Sequence, residues 1–351
     1  MNSRNNAYQR ALVFSGGGTR FAIYCGMYAA WEDAGMKPGV LVAACGGAIA
    51  ATIIQSFPTN AERKAYLMSE ELYRFIRLQK LTEDSRLSRI GLLCLKKMRS
   101  KKAAPYMEDV FHTYLVDMPT DLSGGLPSLS DGFNPEIPTV IIGSELLFTP
   151  EMAGSARGNR KLYRKILFTD EHTARHIHPE EIQIESQNYK ESAVDSAIRI
   201  KTDMPLPVAM RISVSDMFYV QPVHYRNQYY AGGAIDLMPY ELARSLAETI
   251  IVERKQVYSP VEEALVRAVL GFSGNARLQE TEQMKPDYEI DTADAGSLLK
   301  GHYVMKSIHL LKGRIQMSLP ESPQRFAEDM EYQWQYGYRK ATDAIKKGNR
   351  E

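Results

Sequence analysis

Three cysteines in 351 residues, Cys25, Cys45 and Cys94, are too few and too widely spaced for a disulfide framework. No CxxC pair or nearby histidine gives them a metal-ligand interval, so neither a metal nor a cofactor is expected, and a reducing, cytoplasmic setting fits. Charge of one sign is lacking too: 43 basic against 42 acidic residues leave a net charge of +1. That balance removes any global electrostatic case for nucleic acid or another polyanion. No run of about eighteen apolar residues occurs, so no spanning helix is expected. The polar stretch Met1 to Arg10 leads into an apolar segment too brief for a signal-peptide core, and no export signal is expected. These absences describe a soluble protein with at most peripheral contact at the inner membrane surface. Its oligomeric state is not written in the chain.

What the chain does contain is a repeated strand, glycine turn and helix. Ala11–Phe14 is a short apolar run closed by Ser15-Gly16-Gly17-Gly18, and Phe21, Tyr24, Cys25, Tyr28 and Trp31 then recur at helical spacing up to a C-capping Gly35. Val40–Ala44 is a second buried strand, and after Cys45-Gly46-Gly47 comes a small-residue helix from Ala48 to Ser56. Two such units in succession imply an α/β fold with a mainly parallel central sheet and helices on both faces. Further strands are expected at Thr139–Ser144, Lys165–Phe168, Phe218–His224 and Thr249–Val252, with a helix at Pro239–Ala247 and a long one from Ser322-Pro323 to Lys347. With no repeat or clear linker, residues 1–351 read as one domain carrying a helical insertion at about 60–116 and a helical C-terminal region at about 258–347.

Three glycines between a buried strand and a helix present backbone N–H groups without side-chain obstruction at the positive end of a helix dipole. That geometry suits a nucleotide phosphate or the oxyanion of an acyl-transfer intermediate. Gly16-Gly17-Gly18-Thr19-Arg20 has neither the lysine and Ser/Thr of a P-loop nor GxGxxG spacing, which favours the oxyanion. A bare packing turn is the alternative. The second turn, Ala43-Ala44-Cys45-Gly46-Gly47, has the form of a nucleophile elbow, where a reactive residue on a sharp turn needs small neighbours. A cysteine there needs little help, since each unit of pKa depression below about 8.5 raises its thiolate roughly tenfold. The alternative is a buried, inert thiol. Two basic runs, Lys96 to Lys102 after the apolar Ile90–Leu95 and Arg157 to Lys165, suit an anionic lipid surface, the acidic face of a carrier protein or coenzyme A phosphates; as solvated faces they need no partner.

In this order and spacing the motifs resemble the patatin-like phospholipases, whose pattern is a GGGxRG loop, a GxSxG elbow and a distant Asp-Gly-Gly or Asp-Gly-Ala base motif. Gly16 to Arg20, Gly26 and Trp31 to Met36 follow the opening block. Ser213 to Val223 resembles the family's helix-to-strand segment, and Tyr229-Tyr230-Ala231-Gly232-Gly233 before Pro239 resembles its base motif. Four positions depart from the pattern: Phe21 and Ala43 stand for glycines, Cys45 for the serine nucleophile and Ala231 for the dyad aspartate. The resemblance implies a patatin-type fold and an oxyanion loop at Gly16–Gly18 with Thr19, Arg20 and Gly46 beside it. It also implies acyl hydrolase or acyltransferase chemistry through a Cys45 thioester, on an acyl ester or thioester of a lipid, acyl-CoA or acyl-carrier protein. Asp236, in the loop after Ala231, and His224 are candidate bases. A silent relative that binds an acyl ligand or a protein partner is the other expectation.

Overall fold

The computed structural model describes residues 6–85, 104–119, 122, 125–254, 257–258, 260–309 and 314–348. The strands are β1 (Tyr8–Ser15), β2 (Val40–Ala44), β3 (Lys80–Leu81), β4 (Val116–Asp117), β5 (Thr139–Leu146), β6 (Tyr163–Phe168) and β7 (Val194–Lys201), then β8 (Val223–Tyr225), β9 (Gln228–Ala231), β10 (Ala247–Arg254), β11 (Tyr288–Asp291), β12 (Lys306–His309) and β13 (Arg314–Met317). The longer helices are α1 (Ala22–Asp33), α2 (Gly46–Ser56), α3 (Asn60–Leu67), α4 (Glu70–Arg77), α5 (Leu206–Ser213), α6 (Tyr240–Leu246), α7 (Pro260–Val269), α8 (Gly274–Gln283) and α9 (Pro323–Gly348).

The central sheet runs β11-β10-β1-β2-β5-β6-β7, and β1, β2, β5, β10 and β11 are mutually parallel. Strands buried on both faces need apolar side chains at every position, which is why β2 is Val-Leu-Val-Ala-Ala with all five residues buried. Alternate residues feed two cores. Leu12, Phe14, Leu41 and Ala43 point to the face covered by α1, α2 and α9. Ala11, Val13, Val40, Val42 and Ala44 point to the opposite face with α6 and α8. The α1–α9 contact depends on small residues, since a Cβ on Gly26 would lie 2.1 Å from the Trp334 carbonyl oxygen and one on Gly337 2.0 Å from that of Ile23.

Several expectations are revised. β6 pairs antiparallel with β5, so the sheet is mixed at that end, and β7 beyond it is an additional edge strand. Residues 60–77 form α3 and α4 almost without interruption, β3 and a 3-10 turn at Glu83–Ser85 follow, and residues 104–117 contain turns and β4, while residues 86–103 of the expected helical insertion lie outside the described residues. The C-terminal region is not purely helical, because β11 joins the main sheet and β12–β13 form a hairpin. Met217 to Tyr219 is a turn with Phe218 at φ 63, Val220 makes an isolated parallel bridge with Val116, and the strand begins only after Pro222, at Val223. Cys94 and the basic run Lys96 to Lys102 lie outside the described residues. The run Arg157 to Lys165 is tied into the fold: Lys161 donates to the Lys190 and Ser192 carbonyls at 2.8 Å each, and Arg164 pairs with Asp195 at 2.8 Å.

Candidate active site

Cys45 is the single residue between β2 and α2, and its backbone takes φ 49, ψ −125. A non-glycine residue avoids that region unless its surroundings impose it. The imposing contacts are visible: a Cβ on Gly46 would fall 2.4 Å from the Gly18 carbonyl oxygen, and one on Gly47 2.3 Å from that of Phe14. Only glycines let the turn close this tightly. The Cys45 N–H donates to Ser213 Oγ at 2.9 Å, and Ser213 donates to the Ile142 carbonyl at 2.6 Å, so the end of α5 clamps the elbow onto β5. The half-buried Cys45 thus occupies the N-cap position of α2, beside the helix's first N–H groups.

The glycine loop lies against this turn. Gly16, Gly17 and Gly18 all have positive φ, at 97°, 122° and 59°. A Cβ on Gly16 would be 3.7 Å from that of Cys45. The Arg20 amide and Nε donate to the Gly17 carbonyl at 3.2 and 3.4 Å, while its guanidinium lies 5.4 Å from the Tyr303 ring centroid. Thr19 Oγ1 accepts from the Val304 N–H at 3.1 Å, joining the loop to residues beyond β11. Phe21 is fully buried just before α1.

The third segment arrives through the sheet. β6 occupies one edge of β5, so β2 and β9 must share the other. The pairs Ala44↔Ile142 and Ala231↔Ser144 place position 231 two residues past the end of β2 along β5. A Cβ on Gly233 would lie 3.0 Å from the Cys45 nitrogen. Ala231 itself is buried and brings no acid. Asp236 closes the following helical turn, but its carboxylate is enclosed with Lys165 Nζ at 2.7 Å and Arg277 Nη2 at 3.7 Å. Both cations are buried, so this carboxylate is committed to an ion-pair cluster with Lys165 and Arg277. His224 is exposed on β8 and packs on Tyr229.

A carboxylate that sequence reasoning missed stands beside this segment. Asp216 follows α5, its Oδ1 accepts the Ala234 N–H at 3.0 Å, and a Cβ on Gly232 would lie 2.2 Å from that oxygen. Tyr219 and Tyr258 have their hydroxyl pKa values raised by burial, and the charges of both Cys45 and Asp216 add to the rise in each. Asp216 and Cys45 therefore share one neighbourhood. Its only sequence signal is a lone acid ending the Ser213-Val214-Ser215 run.

Among the described residues no His/Cys/Asp/Glu group could hold a metal ion. A cavity of about 580 Å³ opens beside Thr19 and Phe21, lined by Ile76, Val304, Phe326 and Met330. A larger one of about 890 Å³ is lined by Phe133, Met204, Val208 and Tyr225 and by no residue of the elbow or loop. The thiols should differ sharply. Cys25 is fully buried, and burial pushes its pKa up to about 12. Iodoacetamide at pH 7 should alkylate Cys45 at least about a hundredfold faster than Cys25 in the folded protein. Peptide mapping of labelled material reads the ratio, and comparable rates would remove Cys45 as the activated thiol.

Residues 12–244 match the family model described as patatin-like phospholipase. Among solved structures, VipD from Legionella pneumophila is similar to this chain with a TM-score of 0.36 and 10% sequence identity, over 96% of this chain and 67% of that one. No curated protein matches the chain. The family match spans both glycine turns and the Ala231–Gly233 segment and covers well over half of the sequence, so the chain belongs to the patatin-like phospholipase family.

Proposed function

We propose that the chain is an acyl hydrolase or acyltransferase in which Cys45 is the nucleophile, the Gly16–Gly18 loop with the Gly46 amide is the oxyanion hole, and Asp216 takes the place of the family's dyad aspartate. The conformation of Cys45 carries this reading: a non-glycine residue at φ 49, ψ −125 on a strand-to-helix turn, against a loop of three positive-φ glycines, is costly to maintain for packing alone. In the first step Asp216 accepts the thiol proton while the sulfur attacks the carbonyl carbon of the acyl substrate. The carbonyl oxygen becomes an oxyanion facing the loop amides. Collapse breaks the bond to the leaving alcohol or thiol, which recovers the proton, and leaves an acyl thioester on Cys45. Water or an acceptor alcohol then attacks the thioester, giving its proton to Asp216, and the thiol is regenerated.

Family membership points to lipid ester substrates. Thioesters of coenzyme A or an acyl-carrier protein extend that class, because a thiol and a thioester are close in energy and exchange readily. The cavity beside Thr19, where Ile76, Val304, Phe326 and Met330 share the lining with Arg325 and Asp329, offers room for an acyl chain. A thiol nucleophile works only while reduced, so the proposal includes a reducing, cytoplasmic compartment. The competing reading, a silent relative that binds an acyl ligand or a protein partner, draws on Ala231, where the dyad acid is missing. Intact-protein mass spectrometry after incubation with a panel of activated esters and acyl thioesters separates the two. An adduct of acyl mass on the parent, lost in Cys45→Ala, is expected; no adduct across the panel would leave the binder.

A further inference from the structure

The glycine loop has a weakness that the proposed chemistry cannot tolerate. Three consecutive glycines impose almost no preference on φ, so each peptide plane can turn over at little cost. In a trans peptide the C=O of one residue and the N–H of the next point in opposite directions. Turning the plane between Gly16 and Gly17 would therefore exchange a donor for an acceptor in an oxyanion hole. Something must hold the carbonyls. The Gly17 carbonyl is held by the Arg20 amide and Nε, which sends the Gly18 N–H the other way.

The Gly16 carbonyl is held from below the loop. Tyr24, on the first turn of α1 and fully enclosed, shares its single hydroxyl proton between this carbonyl and Glu253 Oε2, the latter at 2.6 Å, so that Glu253 fixes where the hydroxyl sits beneath the loop. Glu253 sits near the C-terminal end of β10, one residue past the Val13↔Val252 pair and thus beside the end of β1 where the loop begins. The same carboxyl group accepts from Ser15 Oγ at 3.1 Å, on the residue immediately before Gly16, and from Thr292 Oγ1 at 2.6 Å, just after β11. Burial and the neighbouring Glu253 charge push the Tyr24 pKa well up, so the hydroxyl keeps its proton. A carboxyl group buried at three strand ends, each contributing one hydroxyl or one backbone neighbour, is an expensive arrangement for stability alone.

The geometry points to Glu253 as a positioning residue that acts through Tyr24 on the Gly16 carbonyl and so fixes the direction of the Gly17 amide in the oxyanion loop. This inference rests on the acyl-transfer reading only for its functional consequence; the clamp itself is a property of the loop.

Two measurements on the full chain test it separately. Hydrogen–deuterium exchange of the peptide covering residues 15–22 needs no activity, and Tyr24→Phe and Glu253→Leu should each speed it by about tenfold or more. Glu253→Gln keeps a polar partner for the three hydroxyls and should retain most of the protection. Acylation of Cys45 by an activated ester should slow by about tenfold or more in the same two variants. Its alkylation by iodoacetamide, which needs no oxyanion hole, should stay within about twofold of the parent. A merely structural role would shift the melting temperature and move both reactions together. Parent-like exchange in a folded Tyr24→Phe protein, or a Glu253→Gln variant as loose as Glu253→Leu, overturns the clamp; the second comparison decides the matter should Tyr24→Phe fail to fold. Exchange that responds as expected in a protein whose parent never acylates supports the clamp and instead removes the acyl-transfer reading.

Discussion

Alanine at position 17 is expected to slow acylation of Cys45 by about a hundredfold or more while the fold stands. Gly17 has φ +122, outside what an L side chain adopts without strain, and a Cβ there would sit 3.3 Å from the Tyr24 hydroxyl that holds the loop. The variant can relieve the strain only by turning a peptide plane or lifting the loop, and either response withdraws an amide from the oxyanion. The strain costs roughly 1–3 kcal/mol, which a domain with two extensive cores should absorb. Circular dichroism and melting curves must match the parent first. Single-turnover acylation by an activated ester is then compared with equilibrium binding of a fatty-acyl ligand, which should change much less because an apolar chain makes no use of the oxyanion donors. A folded Gly17→Ala protein that acylates as fast as the parent would show that the loop is not an oxyanion hole.

The parts of the fold that sequence reading recovered are those in which backbone demands are met by residue type. β2 is legible at Val40–Ala44 because a strand buried on both faces is an unbroken apolar run and the elbow glycines end it. β7 escaped because it is an edge strand, Val-Asp-Ser-Ala-Ile-Arg-Ile-Lys, with only Val194 fully buried; an edge that faces solvent has no reason to be apolar. The segment after α5 misled for a different reason. Phe218 to Val220 is apolar because it is covered, and its turn is set by backbone bonds from Tyr219 and Val220 to the Asp216 carbonyl, which no hydrophobic pattern records. The hairpin that follows turns on Arg226 and Asn227, both at positive φ, and only the asparagine is a recognisable turn signal.

The candidate site divides along the same line. Gly16 to Gly18, Cys45 and Gly46 were legible because the turns they make are possible only with glycine or a small residue, and that requirement is local. Asp236 follows Ala231 closely in sequence, but the helical turn from Gly233 carries its carboxylate to Lys165 on β6 and Arg277 on α8. Asp216 has no such local signal because sheet topology brings it into the neighbourhood of Cys45: β9 takes up the edge of β5 where β2 stops, and the Gly232 N–H bonds to the Ser215 carbonyl at 2.8 Å. Proximity of that kind leaves no spacing to read.

Asp216→Asn is the variant that asks whether this carboxylate has taken over from position 231. Asparagine keeps an oxygen for the Ala234 N–H, so the turn and the contact with Gly232 should survive, and what is lost is the ability to accept a proton. General-base help of this kind is worth about 10²–10⁴-fold, and acylation of Cys45 by an activated ester near pH 7 should fall by about that factor. The deficit should shrink as the pH is raised toward about 10, beyond the ordinary thiol pKa of about 8.5, because hydroxide then removes the proton that Asp216 would have taken. A variant damaged only in shape would stay slow at every pH, since its loop and elbow would be misplaced whatever the state of the sulfur. Acylation rates for parent and variant across that range, with melting curves as a control, distinguish these cases. A folded Asp216→Asn protein that keeps the parent rate near neutrality would mean that the thiol works without a carboxylate base, and Asp216 would revert to a turn residue that happens to face Gly232.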